Sequence, residues 1–262
     1  MIKNHFKKTL GYRFIFACYL WALSIVDLER LVKSVPRLFR YLIDWLKYSR
    51  LEHAEPTGFL NSHPRIHDRL HDTPIDPHYF YQDIWAFKKI NKNKPVSHVD
   101  VGSGKQFVGF LTAVTRVKFV DIRPIAARLQ NLEQTKGSIL KLPFADNSIE
   151  SLSCLHVAEH IGLGRYGDEL DPEGTKKACA ELMRVLAPGG VLYFSLPLGR
   201  PRVCFNAHRI HSPQQILNYL KDLILTEFSG VDDSGVYHEN ISHEAFADFK
   251  YGCGLFVFTK PK

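Results

Sequence analysis

The sequence predicts an α/β chain: a doubly wound, mostly parallel sheet with helices on both faces, preceded by N-terminal helices. Three observations predict it. Val96–Val101 is a short apolar run that stops abruptly at Gly102-Ser103-Gly104, as a buried parallel strand does where it brings its backbone to a ligand. Val117–Asp121 is a second such run, and its terminal acid follows Gly104 by 17 residues, where a carboxylate can accept hydrogen bonds from both hydroxyls of a ribose. From there to the C-terminus, short β-rich runs alternate with helical patterns, the signature of βαβ units.

The elements follow in order. Phe14–Val26 is almost wholly apolar behind a basic start, yet too short for a comfortable membrane span. No small-residue cleavage site follows it, so a secretory leader is not expected. Leu31, Val35, Leu38, Phe39, Leu42, Trp45 and Leu46 then recur at helical spacing, with basic residues on the other faces, and Ser34 with Pro36 marks a helix restart. Residues 51–78 are polar and broken by Pro56, Pro64, Pro74 and Pro77, which reads as a linker or loop; its histidines match no ligand spacing.

Asp76-Pro77 starts a helix over Tyr79–Ile90 with Phe80, Ile84, Phe87 and Lys88 along one side. Strands are expected at 96–101, 117–121, 137–140, 149–155, 191–196, 225–231 and 253–259, seven in all. Between them lie helices near 106–114, 122–134, 171–186 and 212–223, the third capped by Asp171 and the last by Ser212. The chain thus divides into residues 1–50 (basic, apolar and amphipathic helices), 51–78 (linker) and 79–262 (the sheet domain).

The net charge of +7 sits in residues 1–50, where ten Lys/Arg face three acids, so the remainder is neutral. A nucleic-acid footprint across the sheet domain is not expected. A basic amphipathic segment suits a membrane surface, with a helical hairpin packed on the main domain or a dimer interface as alternatives. Five scattered cysteines without a C-x-x-C pair suggest neither a disulfide framework nor a cysteine metal site, and a reducing cytoplasmic setting, peripheral to the inner face of a membrane, is the simplest expectation.

Val99-Asp100-Val101-Gly102-Ser103-Gly104, Val120-Asp121, Leu142-Pro143-Phe144 with Asn147-Ser148-Ile149-Glu150, and Glu181–Leu186 with Ala187-Pro188-Gly189-Gly190 together resemble the class I S-adenosylmethionine-dependent methyltransferases over residues 79–260. Leu155–Asp168 and Phe205–Arg209 resemble, more narrowly, an uncharacterised methyltransferase-like family, a domain of unknown function whose members accompany surface-polysaccharide gene sets. The resemblance implies a Rossmann-like methyltransferase fold and S-adenosyl-L-methionine as cofactor. It also implies cofactor-binding roles for Asp100, Gly102, Ser103, Gly104, Asp121, Ser138 and Ile139. Two departures stand out. Gln106 replaces a usual third glycine, and Ser138 stands where an aspartate usually meets the adenine amine.

Ligands of an open parallel sheet gather beyond the carboxyl ends of its strands. His156, Glu159 and His160 fall there and are the catalytic candidates, an imidazole base with a carboxylate partner for in-line methyl transfer. His156-x-x-Glu159-His160 also matches an inverted zinc-peptidase motif, but it begins at a strand end and runs into Gly162-x-Gly164, so no metal is expected. Arg165, Tyr166 and Asp168 lie on a glycine-rich loop, and Asn206, His208 and Arg209 follow the fifth strand. All six are substrate-binding candidates, the arginines suiting a phosphate or carboxylate, with ion pairs to Asp168 or Glu169 as the alternative. The expected activity is methyl transfer to a small-molecule or lipid-linked acceptor, a sugar hydroxyl foremost. A non-catalytic protein of the same fold scaffolding a membrane-associated assembly is the alternative. A nicotinamide-dependent oxidoreductase leaves the Leu-Pro-Phe and Pro-Gly-Gly segments unexplained.

Overall fold

The computed structural model describes residues 10–23 and 27–262. The basic start and the Ser24–Val26 end of the apolar run lie outside the described residues. The chain divides into two compact units, Met1–Pro74 and Ile75–Lys262.

In the first unit, α1 (Leu10–Leu23) precedes α2 (Leu28–Tyr48). Asp27 caps α2 through its side chain, which accepts from Arg30 N at 2.8 Å. The expected restart at Ser34 does not occur. Pro36 lies inside the helix, and the Ser34 hydroxyl turns back to donate to the Arg30 carbonyl at 2.7 Å. Leu31, Val35, Leu38, Phe39, Leu42 and Leu46 are all exposed. Among the described residues no helix is long and apolar enough to cross a membrane.

The second unit opens with α3 (Pro77–Asn93), whose N-cap Asp76 accepts from His78 N at 3.0 Å. Its buried face is His78, Gln82, Trp85, Ala86 and Ile90. Of the expected side, Phe80 and Ile84 are exposed and Phe87 packs against the core, while Trp85 turns inward to meet Tyr193, ring edge to face at 6.3 Å. There follow β1 (Ser97–Val101), α4 (Lys105–Leu111), β2 (Arg116–Asp121), β3 (Leu132–Lys136), β4 (Ile149–Leu155), α5 (Gly174–Val185) and β5 (Leu186–Leu198). The chain closes with β6 (Arg202–Cys204), β7 (His208–Ile210), α6 (Pro213–Tyr219), β8 (Ile224–Val231), β9 (Tyr237–His238) and β10 (Gly252–Thr259).

The main sheet has the order β3-β2-β1-β4-β5-β10-β8-β9. The first five strands run parallel, and β10 enters antiparallel between β5 and β8. The sheet is doubly wound and mostly parallel, as expected, with eight strands because the two-residue β9 adds an edge. β6 and β7 form a separate antiparallel hairpin that the sequence did not announce. Two apolar cores cover the faces. One joins α5 and α6 to Val99, Val101 and Phe194; the other joins α3 and α4 to Phe119, Tyr193 and Leu255.

Three further expectations are corrected. Residues 122–131 form no helix. Gln134 holds them as a loop, accepting from Ile125 N at 2.8 Å and donating to the Ala127 carbonyl at 2.9 Å, and Asn131 takes a left-handed turn. The third strand is consequently Leu132–Lys136, and Ser138–Lys141 is a turn beyond it. The helix expected from Asp171 starts at Gly174, since Asp171 Oδ1 closes its own turn onto Glu173 N at 2.9 Å.

Candidate functional site

The strand order reverses between β1 and β4, so their carboxyl ends splay apart and leave a crevice. Gly102 turns the chain there with φ +71°, and a Cβ on it would lie 3.0 Å from Val157 Cγ1 and 3.6 Å from Asp121 Oδ2. The left-handed φ favours glycine, and a side chain there would press on Val157. One cavity opens on the crevice, lined by Gly102, Asp121, Ser138, Ile139, Tyr166 and Asp168 among others. Asp121 Oδ1 accepts from Arg123 N at 2.6 Å, which fixes the carboxylate with Oδ2 toward Gly102.

Asp100, Ser103 and Gly104 do not line this cavity. They hold the turn from beneath. Asp100 Oδ1 accepts from Ser103 N at 3.0 Å, and Oδ2 accepts from the Ser153 hydroxyl. Ser103 Oγ accepts from Leu155 N at 3.1 Å, latching β1 to β4. The network continues to His98, whose ring nitrogens lie 2.8 Å from Ser151 Oγ and from Ser153 Oγ. Burial pushes the Asp100 carboxyl up to about 6, against its serine hydrogen bonds, and pushes His98 down to about 3. Gln106, the departure from the third glycine, is exposed on α4 and is not on the cavity wall. Ser138 Oγ accepts from Leu140 N at 3.2 Å and sits at the wall.

A second cavity is lined by Tyr79, His156, Glu159, His160, Arg165, Asn206, His208 and Tyr251, with Ala207. The two cavities share His156 and His160. The structure therefore brings together all three catalytic candidates with Arg165, Asn206 and His208, while Tyr166 and Asp168 face the first cavity. Tyr166 is flanked by two guanidinium groups, Arg123 at 4.3 Å and Arg165 at 5.2 Å from its ring centre.

His156 follows β4 in a left-handed turn (φ +54°), rare for a residue with a side chain, which swings its ring under α3 and β10. Its Nδ1 is 3.1 Å from Glu159 Oε1. Burial works against a charge on this ring, but Cys253 and Glu159 outweigh it and raise the imidazole to about 10. Glu159 is itself held below the usual carboxylate range: burial opposes this, and the two histidines prevail. His160 is different. Its Nδ1 lies 2.5 Å from the Ala207 carbonyl and so donates to it, while Nε2 stands 3.7 Å from Glu159 Oε1. Arg165 donates to the same Ala207 carbonyl at 3.2 Å.

Arg209 reaches neither cavity. It is buried, donating to the Ile161 carbonyl and, at 2.7 Å, to the Asp171 carbonyl. Asp171 N donates in turn to the Gly162 carbonyl at 3.0 Å, and Asp168 ties the loop inside by accepting from Gly162 N at 2.6 Å and Tyr166 N at 3.2 Å. A Cβ on Gly162 would collide with the Asp171 carbonyl, and one on Gly174 with the Ile161 carbonyl. Arg209 is thus a clamp on the base of the glycine loop, and the expected ion pairs to Asp168 or Glu169 are not its contacts. Sequence reasoning missed Tyr79, Arg123 and Tyr251. Arg123 follows Asp121 by two residues and had that adjacency as a signal, whereas the two tyrosines carry no motif.

Residues 132–240 match the family model described as "Caenorhabditis protein of unknown function, DUF268". No curated protein matches the chain. The N-methyltransferase NodS from Bradyrhizobium japonicum WM9, solved with S-adenosyl-L-homocysteine, is 18% identical with a TM-score of 0.52, over 74% of this chain and 91% of that one. A protein from Galdieria sulphuraria provisionally named a sarcosine dimethylglycine methyltransferase is 17% identical with a TM-score of 0.51, over 70% and 86%. The second unit has the class I methyltransferase fold.

Proposed function

We propose that the protein transfers a methyl group from S-adenosyl-L-methionine to a small-molecule or lipid-linked acceptor, a sugar hydroxyl first among those to test. The observation that carries this is the meeting of two cavities at His156 and His160, one built on the Gly102 turn and Asp121, the other walled by histidines, tyrosines and Arg165. The cradle fits the cofactor: a glycine in a left-handed turn where a Cβ would crowd Val157, a strand-end carboxylate with one oxygen turned toward it, and the polar Ser138 at the far wall. When bound, the cofactor supplies a methyl group made electrophilic by its sulfonium.

The chain's own residues supply the rest. Asp121 accepts from ribose hydroxyls, and Gly102 allows close backbone approach. His160 Nδ1–H donates a hydrogen bond to the Ala207 carbonyl, which leaves Nε2 to take the proton of the attacking hydroxyl. Glu159, beside that nitrogen, stabilises the imidazolium as it forms. Arg165 anchors an anionic part of the acceptor, such as a phosphate. In the first unit, α2 sets exposed leucines beside basic residues, which supports attachment to an anionic membrane surface, each Lys or Arg near such a surface contributing about 1 kcal/mol.

Calorimetry with S-adenosylmethionine, S-adenosylhomocysteine and NAD tests the cofactor. Binding of the two adenosyl compounds and not NAD is expected, and binding of neither overturns the reading in favour of a non-catalytic scaffold. In flotation with anionic vesicles the full chain is expected to rise and a chain lacking residues 1–50 to stay below.

A further inference from the structure

We propose that His78, His156 and Cys253 form a binding site for a borderline-soft divalent cation, zinc foremost. The inference does not rest on methyl transfer. His78 stands in the first turn of α3, His156 in the left-handed turn after β4, and Cys253 in β10. All three are buried, and one donor atom from each lies within 4.8 Å of the others. Two imidazoles and a thiol select zinc-like cations over magnesium or calcium, which favour oxygen.

A second observation points to a ligand. Glu159 Oε2 is buried with no hydrogen-bond partner, although buried polar atoms are nearly always paired. Glu159 Oε1, 3.1 Å from His156 Nδ1, stands where a carboxylate orients a metal-ligating histidine and adjusts its basicity. Charge agrees as well. A Cys253 thiolate and the Glu159 carboxylate balance a doubly charged ion, and binding releases the thiol proton and one proton of the His156 imidazolium to solvent. The strained backbone at His156 then has a purpose: it carries the ring out of the β4 line and beneath α3, where His78 lies 5.5 Å away ring to ring.

The test uses the full chain, stripped with a chelator and titrated with zinc or with cobalt(II) as a spectroscopic probe. One equivalent is expected, with a thiolate-to-cobalt charge-transfer band, released protons and a raised melting temperature. Cys253→Ser abolishes the band, and His78→Gln weakens zinc binding at least tenfold, each with an unchanged circular dichroism spectrum. His63→Ala, in the other unit, changes nothing. Absence of the band in the wild-type protein overturns the proposal, even if a variant fails to fold. Retention of full affinity by folded Cys253→Ser or His78→Gln overturns it too. S-adenosylmethionine binding measured on the same stripped sample reports separately on the cofactor reading.

Discussion

The two cavities that meet at His156 and His160 are built in opposite ways. The first rests on backbone: the Gly102 turn, the ends of β1 and β2, and a buried polar network beneath them. The second is walled by side chains drawn from α3, the turn after β4, the glycine loop, the β6–β7 hairpin and the approach to β10. A site made of strand ends is fixed once the sheet forms. A site made of side chains from five segments exists only when all five are docked, and each can be altered without disturbing the sheet.

That contrast yields separable losses. The largest is expected from His160→Ala, which removes the proposed proton acceptor and is predicted to lower turnover by about 100- to 10,000-fold, far more than it weakens S-adenosylmethionine binding at the cavity wall it shares. If single-turnover kinetics show an unchanged rate, the division of labour fails. Next is Asp121→Ala in the first cavity. Loss of hydrogen bonds to a charged group costs roughly 1.5–3 kcal/mol, about 10- to 100-fold in cofactor Kd by calorimetry, with acceptor binding untouched.

The smallest effect sharpens the contrast from below. His98 and His211 are buried neutral, pushed down to about 3 and about 4. Unfolded, both take up a proton below about 6.5, so the unfolded chain binds more protons and stability falls as pH drops through that value. Asp100, raised to about 6, works the other way between roughly 6 and 4 and offsets part of the loss. By chemical denaturation, His98→Gln is expected to lose about 1 kcal/mol less stability than the wild-type protein between pH 7 and 5.5. An unchanged slope in that variant would show that the network under the Gly102 turn is not the sensor.

The same contrast explains what could be read in advance. β1, β2, β4, β8 and β10 were legible because buried strands must be apolar, β-branched and bounded by turns. Leu132–Lys136 was not, since an edge strand reading Leu-Glu-Gln-Thr-Lys carries almost no apolar pattern, and Pro124 with a run of polar residues resembled a helix. Gly102, Asp121, His156, Glu159 and His160 were legible because position at a strand end is a consequence of the sheet. Tyr79 and Tyr251 were not, because only tertiary folding brings the start of α3 and the turn before β10 over His156. Arg209 carried the right charge in the right segment but points its guanidinium at two carbonyls, a choice that sequence spacing does not encode.

That choice has a consequence for traffic through the crevice. With Arg209 buckling Ile161 to Asp171, and glycines at 162 and 174 letting the two chain segments touch, the loop over the first cavity has no hinge at its base. Any doorway must be made by torsions at its tip, where Gly164 and Gly167 both hold positive φ on either side of Tyr166. At that tip stands Tyr166, its ring held between Arg123 and Arg165.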